Sequence, residues 1–219
     1  SGANRQQIAL VRKGIFGLAD APREWYLRLA ECLTLEGWKM CLVDGAFWTL
    51  RDAAGKLIGL MVCHVDDLLF TGNDDAMKSL MRIGDELGFG KLEHDDFVWC
   101  GKRFRRAIDK TIKVSMKAYH ENLKPVVVPK NRRVDLVSAL TPFESSQLKG
   151  MNGSLQWLVA QLRWDLGFKV SSLAGETGKP VVGSLLRGNA IIAEAKASAD
   201  FEISFGPMNL TDGGILVVT

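Results

Sequence analysis

At 219 residues, 47% hydrophobic and 24% charged, the chain is long enough to bury a substantial core, as one large domain or two small ones. A net charge of +3 does not by itself mark a partner, and four cysteines (Cys32, Cys41, Cys63, Cys100) without a CxxC pair argue against a zinc site and a disulfide framework. That usage fits a reducing intracellular compartment, cytoplasm or nucleus. The three histidines, His64, His94 and His120, show no metal-ligand spacing. No apolar run reaches the length of a membrane span, and SGANRQQIAL lacks the layout of a signal peptide, so no membrane partner is expected.

In chain order, residues 8–11 form a short strand candidate. Asp20 then caps a helix with Pro22 in its first turn and an apolar stripe at Trp25, Leu29 and Leu33, closed by Gly37. Residues 39–65 change to a strand pattern. Trp38, Phe47 and Trp48 read as core rather than as stacking platforms. From Lys56 to Asn73 two apolar runs meet head to tail, and the only charges between Lys56 and Asp74 are the adjacent carboxylates Asp66 and Asp67. Strands over 57–65 and 68–71 make a β-hairpin with the acidic pair at its tip. Carboxylates framed by Val, Leu and Phe repel each other and are poorly solvated, which a divalent cation would offset. A plain polar turn is the other reading, although such turns favour a Gly that is missing here.

Residues 74–89 read as a helix capped by Asp74, with Met77, Leu80, Met81 and Leu87 on its apolar face. His94, Asp95 and Asp96 read as a solvated loop. A strand over 97–104, a turn at Asp109 and Lys110, and a partner strand over 111–116 follow. Residues 101–133 hold 11 Lys and Arg against 2 acids, a balance of +9 that suits a phosphate track. Residues 125–139 read as a linker. Thr141, Pro142 and Glu144 form a capping box that starts a helix through Leu162. Helices over 166–176 and 182–199, and strands over 201–205 and 215–219, complete the reading.

The string HVDDLLFTGND resembles the YVDD box of copia-type retrotransposon reverse transcriptases, and other blocks of that family follow in order. KGIFGLADAPREWY is similar to KALYGLKQAPRAWY at Lys13, Gly17, Leu18, Ala21, Pro22, Arg23, Trp25 and Tyr26, and departs from it at Ala19 and Asp20. DGAFWTLR resembles DPSLFVLR, and VSMKAYHENLK resembles LSQKKYIEKLL. QLKGMNGSLQWLVAQLRWD resembles YRSLVGSLLYLATRPD, keeping Gly153, Ser154, Leu155, Arg163 and Asp165 but with Trp164 in place of proline.

The resemblance implies an α+β right-hand polymerase: a partial palm over 1–106, a mainly helical thumb and connection over 107–200, and over 201–219 the start of a strand region leading to an RNase H-like domain. The implied reaction is RNA-directed addition of deoxynucleotides to a primer 3′ end. Asp66 and Asp67 would be catalytic and hold Mg²⁺ or Mn²⁺. Gly17, Arg23 and His64 would lie by nucleotide or template, and Lys102, Arg103, Arg105, Arg106, Lys113 and Lys117 by the primer. The implied partners are an RNA/DNA template-primer, deoxynucleoside triphosphates and other parts of a Pol polyprotein. The family's palm has a further catalytic aspartate on an upstream strand, which SGANRQQIALVR does not supply. The chain is therefore expected to be a piece of a polymerase; the substitutions at Asp20, His64 and Trp164 leave room for the alternative, a non-catalytic relic that keeps the fold and binds nucleic acid.

Overall fold

The computed structural model of the chain describes residues 19–207; the strands expected at 8–11 and 215–219, and Lys13, Gly17 and Leu18, lie outside them. The chain divides into two compact units, residues 1–92 and 93–219, each with its own apolar core. Both combine helices with an antiparallel sheet, so the class is α+β. The boundary expected near residue 106 falls inside the second sheet.

In the first unit, α1 (Ala21–Leu35) carries Pro22 in its first turn and buries Leu29, Cys32 and Leu33. Gly37, at φ +85°, turns the chain into β1 (Lys39–Met40), β2 (Phe47–Arg51), β3 (Leu57–His64) and β4 (Asp67–Gly72). These four pair antiparallel in sequence order. Alternation sends Trp48, Leu50, Met61 and Cys63 into the core, with Trp38 beside them.

Helix α2 (Asp74–Leu87) is capped by Asn73, not by Asp74: the Asn73 side chain accepts from the amides of Asp75 and Ala76. Asp74 instead adds negative charge to the first turn, where the helix dipole favours it. The buried stripe runs through Ala76, Ser79, Leu80, Ile83 and Gly84, and Met81, expected inside, is 47% exposed. Small residues decide this, because Gly59 and Gly72 face each other across β3 and β4 and receive Ala76. A Cβ on Gly59 would stand 2.8 Å from the Trp38 ring and 2.9 Å from the Ala76 Cβ. Trp38 cannot retreat easily, since its Nε1 donates to Ser79 Oγ at 3.0 Å. Gly59→Ala is therefore expected to lower the stability of this unit by about 2 kcal/mol in urea unfolding.

In the second unit, β5 (Asp96–Trp99), β6 (Lys102–Arg106), β7 (Ile112–Ser115) and β8 (Glu202–Phe205) pair antiparallel in that order. The single strand expected over 97–104 is thus a hairpin, turned by Cys100 and Gly101 at φ +49° and +74°. Two successive positive φ values mark a type I′ turn, whose usual Asn or Asp is here a Cys that carries no turn signal. Helix α3 (Lys117–Asn122) follows, then α4 (Pro142–Gln161), α5 (Gly167–Gly175) and α6 (Val182–Ala197).

The Thr141 and Glu144 capping box starts α4 as expected. The Arg132 fork meets Glu144 at 2.9 and 2.8 Å and, with the Thr141 amide, holds that carboxyl down to about 2. Residues 125–139 are consequently no linker. Val128 is buried, Asn189 both donates to and accepts from the Val126 backbone, and Lys130–Val134 forms a 3₁₀ turn.

Among the described residues of this unit, the basic side chains of His120 and Arg163 are buried, at 0% and 2% exposure. His120 Nδ1 donates to the Met116 carbonyl at 2.8 Å, which leaves Nε2 to accept from Arg163 Nη1 at 3.2 Å. Burial first, then Arg163, pushes the imidazole below its ordinary 6.5, against the opposing pull of the Met116 carbonyl and Asp165. The unfolded chain then binds a proton that the folded one refuses, so stability is full above pH 6.5 and falls as pH drops through and below it. The expected slope is up to about 1.4 kcal/mol per pH unit, read from denaturation midpoints between pH 7 and 5. Depressed carboxylates such as Glu144 act only below about 4.5.

Asn152 on α4 is 5% exposed, and neither side-chain polar atom has a partner among the described residues. Asn152→Leu is expected to raise the melting temperature, by about 1 kcal/mol in stability, because an apolar group of similar shape removes both orphans.

Candidate functional site

Val65 and Asp66 alone join β3 to β4, since His64 pairs with Asp67 across the ladder. The acidic pair is therefore displaced by one residue from the expected tip: Asp66 is the second turn residue and Asp67 opens β4. Val65 holds φ +56°, a value that a two-residue hairpin needs at its first position and that normally selects Gly. A β-branched residue there stores about 1–3 kcal/mol of strain.

His64, Val65, Asp66 and Asp67 are all exposed, which overturns the expectation of poorly solvated carboxylates. Their apolar neighbours point elsewhere: Cys63 and Leu68 face the helices, while His64 and Asp67 project from the opposite face with Val62 and Leu69. Behind the turn, the Cys63 thiol donates to the Val65 carbonyl at 3.6 Å. Burial, and secondly the charge of Asp66, push that thiol up from its ordinary value.

The pair offers oxygens suited to a hard divalent cation, and both are open to solvent. Among the described residues, however, no group of three or more His, Cys, Asp or Glu could hold a metal ion. The described residues alone do not fit a two-metal centre.

Of the other expected site residues in this unit, Gly17 lies outside the described residues, and Arg23 is exposed in the first turn of α1.

In the second unit, five of the six cations expected at a primer form ion pairs within the fold. Arg103 grips Asp96 at 2.7 and 2.6 Å, Arg106 meets Asp95 at 3.6 Å, and Lys117 meets Asp200 at 2.6 Å. Arg105 and Lys113 share Glu202. Lys102 donates to Gln161 at 2.6 Å and lies over the Trp99 ring. Asp95 and Asp96, read as a solvated loop, thus serve as counter-charges. Residues 93–219 carry 17 Lys and Arg against 13 Asp and Glu, so the local +9 shrinks to +4 over the unit. These pairs are mostly exposed, and a phosphate could compete for their cations.

No described helix is long and apolar enough to cross a membrane. Two curated proteins of Arabidopsis thaliana, the Retrovirus-related Pol polyproteins from transposons RE2 and RE1, are 30% and 28% identical to the chain over 180 residues. The match takes in 76% of this chain, and the chain covers 12% of each relative. No protein-family model and no solved structure matches.

Proposed function

From the homology of this chain to a segment of retrotransposon Pol polyproteins, we propose that it is part of the reverse transcriptase of a copia-type element. The single observation that carries the reading is an exposed acidic pair at a two-residue hairpin turn, within the stretch that resembles the family's YVDD box. On this reading the chain to about residue 106 belongs to a polymerase palm, and residues 107–200 contribute the thumb and connection. The substrates are deoxynucleoside triphosphates and an RNA/DNA template-primer, and the reaction adds a nucleotide to the primer 3′ hydroxyl with release of pyrophosphate.

Asp66 and Asp67 are the proposed ligands for Mg²⁺ or Mn²⁺, which would supply charge stabilisation at the transferring phosphate. A third carboxylate, from another strand of the polyprotein, is part of this proposal. Arg23 and His64 are proposed beside nucleotide or template, and the cations from Lys102 to Lys117 beside the primer. The departures from the family's blocks at Asp20, His64 and Trp164 favour one other reading, a non-catalytic relic that binds nucleic acid.

The test is primer extension by the complete polyprotein on an RNA template, with either metal. Deoxynucleotide incorporation is the expected result. Salt-sensitive binding of template-primer with no extension in either metal would overturn the polymerase reading in favour of the relic.

A further inference from the structure

The acidic turn is held from behind by a helix. Tyr26, on α1, donates its hydroxyl to the Gly45 carbonyl at 2.7 Å. The next residue, Ala46, accepts the Cys63 amide at 2.9 Å, and Cys63 in turn reaches the Val65 carbonyl. Asp44 tightens the same loop, with its carboxylate taking the Ala46 amide at 2.9 Å and its carbonyl the Phe47 amide at 3.1 Å. The fit leaves little room, since a Cβ on Gly45 would lie 3.3 Å from the Tyr26 oxygen. The phenol is also kept in its donating form, because burial, then Cys63 and Asp44, raise its pKa above the ordinary 10.

We infer that Tyr26 is a positioning residue: through Gly45, Ala46 and Cys63, its hydroxyl fixes the Asp66–Asp67 turn relative to α1, the helix that also bears Arg23. Without this tether, the loop that receives the Cys63 amide loses its link to α1, and β3 still ends in a strained turn. With it, the carboxylates and the first turn of α1 move as one body. The consequence for catalysis rests on the proposed function, whereas the tether itself does not.

The test uses Tyr26→Phe, which removes one oxygen and leaves the ring. Amide exchange in the full chain is expected to quicken about tenfold at Ala46, Phe47 and Cys63, with Leu80 and Ile83 of α2 unchanged. Unchanged exchange at those three amides, or a uniform rise across the unit, would overturn the tether. Gly45→Ala should reproduce the local effect in the parent chain and add nothing in the Tyr26→Phe background; additive effects would overturn it as well. In the complete polyprotein, kcat of primer extension should fall about tenfold with the nucleotide KM unchanged, because a misplacement of about 1 Å weakens chemistry more than binding. Unchanged kcat alongside loosened exchange would overturn the positioning role. Extension that survives Asp67→Asn would instead overturn the polymerase reading and leave the tether standing.

Discussion

In the complete polyprotein, Asp67→Asn is expected to reduce primer extension by about a hundredfold or more, and Asp66→Asn to do the same, while the melting temperature holds or rises. The two effects part because the carboxylates do nothing for the fold. Both are exposed, adjacent and of like charge, so neutralising one relieves repulsion and keeps the side-chain shape. Surface substitutions of this kind stay within about 0.5 kcal/mol. On the proposed function, by contrast, a carboxylate that holds a divalent cation beside the transferring phosphate would be worth several kcal/mol in the transition state. Extension assays run beside thermal melts decide the matter. Activity that persists in both variants would sink the site, and a joint fall in activity and melting temperature would make the pair a structural turn.

Arg163→Ala should be the most damaging single change to the second unit, at about 3 kcal/mol or more. The guanidinium meets Asp165 with two bonds of 2.8 and 2.7 Å, donates to Ser198 at 2.9 Å and to His120 at 3.2 Å, and stacks over Phe201 at 4.8 Å. Two segments distant in sequence, around His120 and around Ser198 and Phe201, therefore converge with the local Asp165 on one side chain. Alanine would leave the buried His120 Nε2 without its donor and open a void beside Phe201. The pair with Asp165 is half open to water, so the loss comes chiefly from the buried bonds and the stacking. Arg163→Lys retains the charge but lacks the planar fork, and should recover less than half of the stability. Denaturant unfolding, followed at α3 by amide exchange, measures both. A midpoint unchanged in Arg163→Ala would show that the hub carries no weight.

The hairpin was legible because two apolar runs meet at a pair of charges. Its turn was misplaced by one residue because nothing in a valine announces a positive φ. The helix after it was equally clear, but Asn73 and Asp74 are both good caps, and only the extended backbone at Asn73 separates them. Cys100 and Gly101 hid a turn inside what looks like continuous alternation. Residues 125–139 looked like a linker because their anchors, Glu144 and Asn189, belong to helices further along the chain. A charge count over a window fails for the same reason: Arg105 finds Glu202 across 97 positions, and Lys117 finds Asp200 across 83. Tyr26 and Arg163 could be noted as family letters, but what they touch could not be read from their neighbours.

The sharing of Glu202 by Arg105 and Lys113 gives the outer face of the second sheet an uneven sensitivity to drift. Losing either cation removes one positive charge and leaves its neighbour more tightly held. Losing the single glutamate releases two cations at once. A lineage can thus raise the local potential of this face without acquiring a basic residue, and its carboxylates tune that potential as strongly as the lysines and arginines do.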